Sequence, residues 1–171
     1  MTNPPPRAPR PAQQQRRWKI KHLDSCSQSL IASSMILVAH AELRQNNLIP
    51  VHTEIKTELP ALLAFDTDTD KLIGILCYYQ GSTTTPAWRQ LSYVDTSHRK
   101  MGVYSQLTHA LYQLVASNNW NGMSCGTHPR NIALSDAAQK TGAMIATVQL
   151  HWPRRSATSQ TQCIESVKDL K

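Results

Sequence analysis

Apolar and polar residues alternate through Trp18-Lys19-Ile20-Lys21-His22-Leu23, the two-residue period of a strand with one buried face. The period then lengthens. Leu30, Ile31, Met35, Val38, Ala39 and Leu43 recur at helical spacing, behind Asp24 or Ser25 as N-cap and ahead of a stop at Asn46-Asn47. After a loop holding Pro50 and Pro60, residues 61–65 form a short apolar strand. Asp66-Thr67-Asp68-Thr69-Asp70 turns the chain, and residues 72–79 return to complete a hairpin. A polar loop leads to residues 88–94, a third partner in the sheet. Val103, Leu107, Ala110, Leu111, Leu114 and Val115 then mark the clearest amphipathic helix, stopped by Asn118-Asn119. Residues 120–127 read as a strand, 131–141 as a helix ended by Gly142, and 143–152 as a last strand. The order predicts a mixed α/β domain with an early hairpin and late strand–helix alternation.

Composition narrows the class. Hydrophobic residues are 40% and charged residues 17% of 171 positions, the balance of one folded domain. The longest apolar-rich stretch, residues 30–43, is broken by Ser33, Ser34, His40 and Glu42, whereas spanning a bilayer takes roughly 20 apolar residues. The N-terminal arginines have no apolar core behind them, so the reading is a cytoplasmic chain without a secretory signal or membrane span.

The net charge of +7 is unevenly placed. Six of the eighteen basic residues precede Asp24, which leaves twelve against eleven acidic ones. Residues 1–17 also hold five of the ten prolines and the run Gln13-Gln14-Gln15, a composition expected to stay disordered. Such a tail suits an anionic partner or a solvated linker; a nucleic-acid-binding domain would carry the charge on its folded surface. Residues 154–171 are polar and expected to be flexible. Cys26, Cys77, Cys125 and Cys163 show no CxxC pairing, and Cys77 and Cys125 sit in apolar runs as small buried residues would. The seven histidines lack metal-ligand spacing, so no metal is expected.

The segment from Tyr93 to Gly102 carries the chemistry. A strand ends at Val94, a polar turn follows, and Arg99-Lys100-Met101-Gly102 opens onto the best helix in the chain. Amides at a helix start lack partners and stand at the positive end of the dipole, so they attract phosphate. A glycine there admits close approach of a ligand, and Arg99 and Lys100 add charge. There is no GxGxxG and no GK[ST], so neither a dinucleotide fingerprint nor a Walker loop applies. A plain tight turn has the same local pattern.

Val94, Arg99 and Gly102, at relative positions 0, 5 and 8, resemble the acetyl-CoA signature of the GNAT superfamily of N-acetyltransferases, Arg/Gln-x-x-Gly-x-Gly/Ala. His128-Pro129-Arg130-Asn131, followed by a helix and Gly142-Ala143, is similar to the superfamily's second motif. The resemblance covers residues 60–152 by motif and 18–59 by element order, and places the domain at 18–153. It implies a mixed, mostly antiparallel twisted sheet flanked by helices and splayed to hold acetyl-CoA. It implies that backbone groups of Arg99, Lys100, Met101, Gly102, Val103, Tyr104 and Ser105 hold the pyrophosphate. The strand ending at Tyr93 and Val94 would pair with the pantetheine arm, the Val94 amide would polarise the acetyl carbonyl, and Asn131 would touch the cofactor.

Three positions depart from the pattern. Tyr104 stands where Gly or Ala is usual, Ala143 replaces an aromatic, and Ala138 occupies the place of the tyrosine that often protonates the departing thiolate. Such an acid is worth about 10²- to 10⁴-fold, so its loss need not abolish transfer. Ser135 is a substitute donor. Asp95, Ser92 through a water, Glu54 and Glu58 are the candidate bases, and His98 and His128 flank the groove as contacts. The expected activity is transfer of an acetyl group from acetyl-CoA to an amine-bearing acceptor, a small molecule or a protein. The alternative is a degenerate CoA-binding or interaction module on the same fold. Self-association stays open.

Overall fold

The computed structural model describes residues 18–49, 54 and 56–144. The expected tail (1–17), the C-terminal segment (154–171) and residues 145–152 of the last expected strand lie outside them. Among the described residues five strands form one sheet in the order β1 (Trp18–Leu23), β2 (Ala61–Asp66), β3 (Leu72–Tyr79), β4 (Ala87–Val94) and β5 (Met123–Cys125). The first four pair antiparallel and β5 joins β4 in parallel. Helices α1 (Leu30–Gln45) and α2 (Val103–Ser117) cover opposite faces, and α3 (Ile132–Lys140) follows β5. The mixed, mostly antiparallel sheet flanked by helices is the architecture the sequence predicts. Among the described residues no helix is long and apolar enough to cross a membrane.

β2 and β3 are covered on both faces, which is why they read as unbroken apolar runs. Ala61, Leu63, Ile75 and Cys77 pack toward Ala32, Ile36 and Ala39 of α1. Leu62, Ala64, Ile73, Leu76 and Tyr78 pack toward Val103, Leu107 and Leu111 of α2. Gly74 sets the closeness of α2: a Cβ there would lie 3.0 Å from Val103 Cγ1 and 3.3 Å from Leu107 Cδ1.

Several local expectations are corrected. The N-cap of α1 is Ser29, whose Oγ accepts from the Ala32 amide at 3.3 Å; Ser25 instead precedes a single 3₁₀ turn at Cys26–Gln28. The buried stripe of α1 is Ala32, Ile36, Ala39 and His40, while Leu30 (87% exposed), Ile31 and Val38 face outward. The helix is apolar almost all round, so hydrophobicity does not mark the buried face. The small Ala32 and Ala39 do, because they let the helix sit close to the sheet. The strand expected over 120–127 shrinks to Met123–Cys125, since Trp120 still closes α2 through its amide to the Val115 carbonyl and Gly122 turns at φ +84°. The last helix begins after Asn131, which is its N-cap, and ends before Thr141. Residues 143 and 144 of the expected final strand are not in a strand. Cys77 is buried as expected, with its sulfur 3.9 Å from that of Cys26, but Cys125 is exposed because its strand ends there.

Candidate active site

β4 meets β5 over three rungs only: Ala87 with Met123, Trp88 with Ser124, and Arg89 with Cys125. Beyond Arg89 the strands part, and among the described residues no strand pairs with the edge of β4 from Gln90 to Val94 that faces away from β3. The departure coincides with a bulge. Cys77 of β3 lies opposite Leu91 and Tyr78 opposite Arg89, so Gln90 is an extra residue in β4.

Which amides face the gap follows from the ladder. Asp95 donates its N–H to the Ile73 carbonyl at 2.9 Å, so alternation turns the Tyr93 amide toward β3 as well. The Ser92 and Val94 N–H groups therefore point into the fork. The Val94 carbonyl lies on the same side and accepts from Arg99 Nε at 3.0 Å.

The open edge runs into the start of α2. Lys100 (φ +63°) and Gly102 (φ +88°) both take left-handed backbone, and Gly102, as N-cap, has no side chain to satisfy the first-turn amides. A Cβ on Gly102 would meet nothing within 4 Å, so its backbone borders open space. Lys100 and Met101 are exposed, and Lys100 has no carboxylate partner among the described residues. Tyr104 leaves the helix start intact: α2 begins at Val103, and the phenol reaches back to accept a hydrogen bond from Arg89. The site thus combines unpaired strand amides, an uncapped helix start and a free cation, which fits an extended amide-bearing arm ending in phosphate.

The other expected residues are more dispersed. Arg99 does not offer its guanidinium to the helix start. Its NH2 contacts Glu42 Oε1 and Oε2 at 2.7 and 2.9 Å, tying β4 to α1. Tyr93 joins this cluster by donating to Glu42 Oε2 at 3.0 Å; burial, and then that bond, push its phenol upward. Asp95 accepts from the Ser97 amide and hydroxyl and from Lys71 Nζ at 3.2 Å. The Ser97 bonds, ahead of Lys71, hold its carboxyl down to about 2, so it is a turn cap and a weak base. Asn131 uses its side-chain oxygen to cap α3, and Ser135 lies half-buried one turn further on. Glu54 pairs with Lys56 at 3.6 Å, and Glu58 is exposed. His98 bonds Ser97, while His128 accepts from the Arg130 amide. Arg99 is joined directly to Val94 through its Nε and the Val94 carbonyl, and residues 100–105 follow as the turn and the first turn of α2, with Ser105 beside Trp18 and Ile20 of β1.

Sequence reasoning missed two features here. Glu42 was hidden because its partners lie 51 and 57 residues away. Arg89, 5% exposed and bonded to Tyr104 and to Cys125 Sγ at 2.8 Å, was hidden because only the bulge turns it toward α2. Its one signal is a cation in a position where the strand pattern calls for an apolar residue.

No family profile matches the sequence, and no curated protein matches it. The fold nevertheless recurs among solved acetyltransferases. An aminoglycoside acetyltransferase from an uncultured soil metagenomic sample, in complex with trehalose, superposes with TM-score 0.59 at 14% identity, over 84% of this chain and 100% of that one. Ribosomal-protein-alanine N-acetyltransferase from Brucella melitensis biovar Abortus 2308 gives 0.61 at 14%, over 80% and 99%. An aminoglycoside N-acetyltransferase in complex with CoA gives 0.57 at 14%, over 81% and 100%. At these identities the likeness is one of fold: the chain has the GNAT architecture.

Proposed function

We propose that the protein is an N-acetyltransferase that moves an acetyl group from acetyl-CoA to an amine by direct attack. One observation carries this reading: the open edge of β4, with the Ser92 and Val94 amides turned into the fork, leads through the turn of residues 95–102 to the uncapped start of α2. That continuity suits a pantetheine arm hydrogen-bonded like an added strand, with pyrophosphate on the amides of Met101, Gly102, Val103, Tyr104 and Ser105 and the charge of Lys100.

In this reading acetyl-CoA supplies an activated acyl group on a thiol leaving group. The Val94 amide, as a single donor, donates to the carbonyl oxygen as negative charge gathers there. Arg99 acts through position, holding the Val94 carbonyl and Glu42 so that the end of β4 stays fixed. Asp95 keeps the turn between strand and helix. Water beside Ser92 takes the proton of the attacking amine, and Ser135 is the donor toward the sulfur. The solved proteins of this fold named above act on aminoglycosides and on a ribosomal-protein alanine. An amine-bearing acceptor is the class we carry over.

A thermal melt with acetyl-CoA, and with ATP and NAD as phosphate-bearing controls, tests the reading. At about 100 times Kd the ligand adds roughly 2.7 kcal/mol, a shift of several degrees for a domain of this size. A shift specific to acetyl-CoA, followed by amine-dependent CoA release, is the expected result. An equal shift with ATP, or none, overturns it, and binding without turnover marks a degenerate module.

A further inference from the structure

Among the described residues Arg89 is a buried cation without a counter-anion. It closes the β4–β5 ladder at the apex of the fork and is 5% exposed. Its guanidinium donates to Tyr104 Oη and to Cys125 Sγ, and among the described residues no carboxylate pairs with it. A guanidinium keeps its charge at any ordinary pH, and burying one without an anion is strongly unfavourable. Two buried hydroxyls on this side of the sheet also have no hydrogen-bond partner. Ser92 Oγ lies on the same α2-facing side of β4 as Arg89, and Thr108 Oγ1, 1% exposed, stands one turn beyond Tyr104 on α2.

Given the acyl-CoA donor proposed above, we propose that this corner binds a carboxylate at the far end of the acyl group. The groove then takes thioesters of the malonyl and succinyl kind more tightly than acetyl-CoA. With phosphate at the start of α2 and the arm running back along β4, the acyl group arrives at the end of the gap where Arg89 stands. Val94 and Arg89 lie opposite Gly74 and Tyr78, four residues apart on β3, so at about 3.3 Å per residue roughly 13 Å separates them along the strand. A three- or four-carbon acyl chain, the arginine side chain and the hydrogen bonds at either end together cover that distance. The planar guanidinium matches a carboxylate in a way that it cannot match a methyl group.

The test is a set of melts of the full chain titrated with acetyl-CoA, butyryl-CoA and succinyl-CoA. Butyryl matches succinyl in length without the carboxylate. A charge-assisted pair predicts a Kd for succinyl-CoA about 10- to 100-fold below that for butyryl-CoA. In Arg89→Gln that gap closes while the response to butyryl-CoA persists, and Arg89→Lys keeps part of it. Should Arg89→Gln not fold, the comparison of the two donors on the wild type still decides. Equal binding of all three donors overturns the carboxylate corner and leaves the acyl-CoA reading standing. Stabilisation by none of them overturns both.

Discussion

The two edges of β4 face opposite demands. Along β3 the ladder is continuous from Trp88 to Val94 apart from the bulge at Gln90, and both flanking cores lock it in place. Along β5 it ends after three rungs, so amides and a carbonyl are left for other partners. On the proposed reading the same residues serve stability through one side of the backbone and binding through the other. Substitutions aimed at one edge should therefore leave the other largely untouched.

The largest effect is expected on the β3 side. Leu107, fully buried between α2 and the sheet, should cost about 2–5 kcal/mol when cut to alanine, read as a lowered midpoint in urea. The Kd of whatever fraction remains folded should stay near wild type; a large loss of affinity would mean that the edges are coupled.

Asp95 comes next and sharpens the division by pH. Its folded carboxyl sits at about 2, below the ordinary value of 3.8, so it stabilises the fold above that ordinary value and loses this as pH falls toward 2. Asp95→Asn should cost about 1–2 kcal/mol at pH 7, and the gap to wild type should close between about pH 4 and pH 2. A gap independent of pH would break the assignment.

Gly102→Ala forces a side chain onto φ +88°, a cost of about 1 kcal/mol. It also places a methyl group where the backbone meets open space. Here the functional loss should exceed the structural one, with acetyl-CoA binding down about tenfold, or roughly 1.4 kcal/mol. The smallest effect on stability belongs to Glu42→Gln. Its ion pair with Arg99 is partly exposed, so less than about 1 kcal/mol should be lost. The sharper readout is a higher KM for acetyl-CoA as the end of β4 loosens.

Legibility in the sequence followed the range of the interactions. β1 and α2 were readable because their periodicity reports burial directly, and β3 because a strand covered on both faces is an unbroken apolar run: Trp18 and Ile20 do face the α2 side, and Val103, Leu107 and Leu111 do form the inner stripe. The strand-to-helix turn was readable because Gly102 and its neighbours are contiguous. The buried face of α1 was not, since Leu30, Ile31, Leu37 and Val38 are as apolar as what the helix buries. The brevity of β5 was equally hidden, because the left-handed turn at Gly122 and the reach of Trp120 are properties of packing. Glu42, Arg89 and Cys125 depend on partners from other elements, which no local pattern records.

The bulge also acts as a parity change within β4. Arg89 and Leu91 are two residues apart, yet the first reaches Tyr104 on α2 and the second packs with the α1 core. One supernumerary residue therefore decides which side of the sheet receives the positive charge. A chain shortened by Gln90 alone would restore strict alternation with Arg89 still opposite Tyr78 and the guanidinium still on the α2 face, whereas a chain that took Gln90 into the ladder would carry the guanidinium over to the α1 face. A shift of register here is thus a different kind of event from a substitution, because taking Gln90 into the ladder would exchange the faces of every residue before it rather than alter a side chain on one of them.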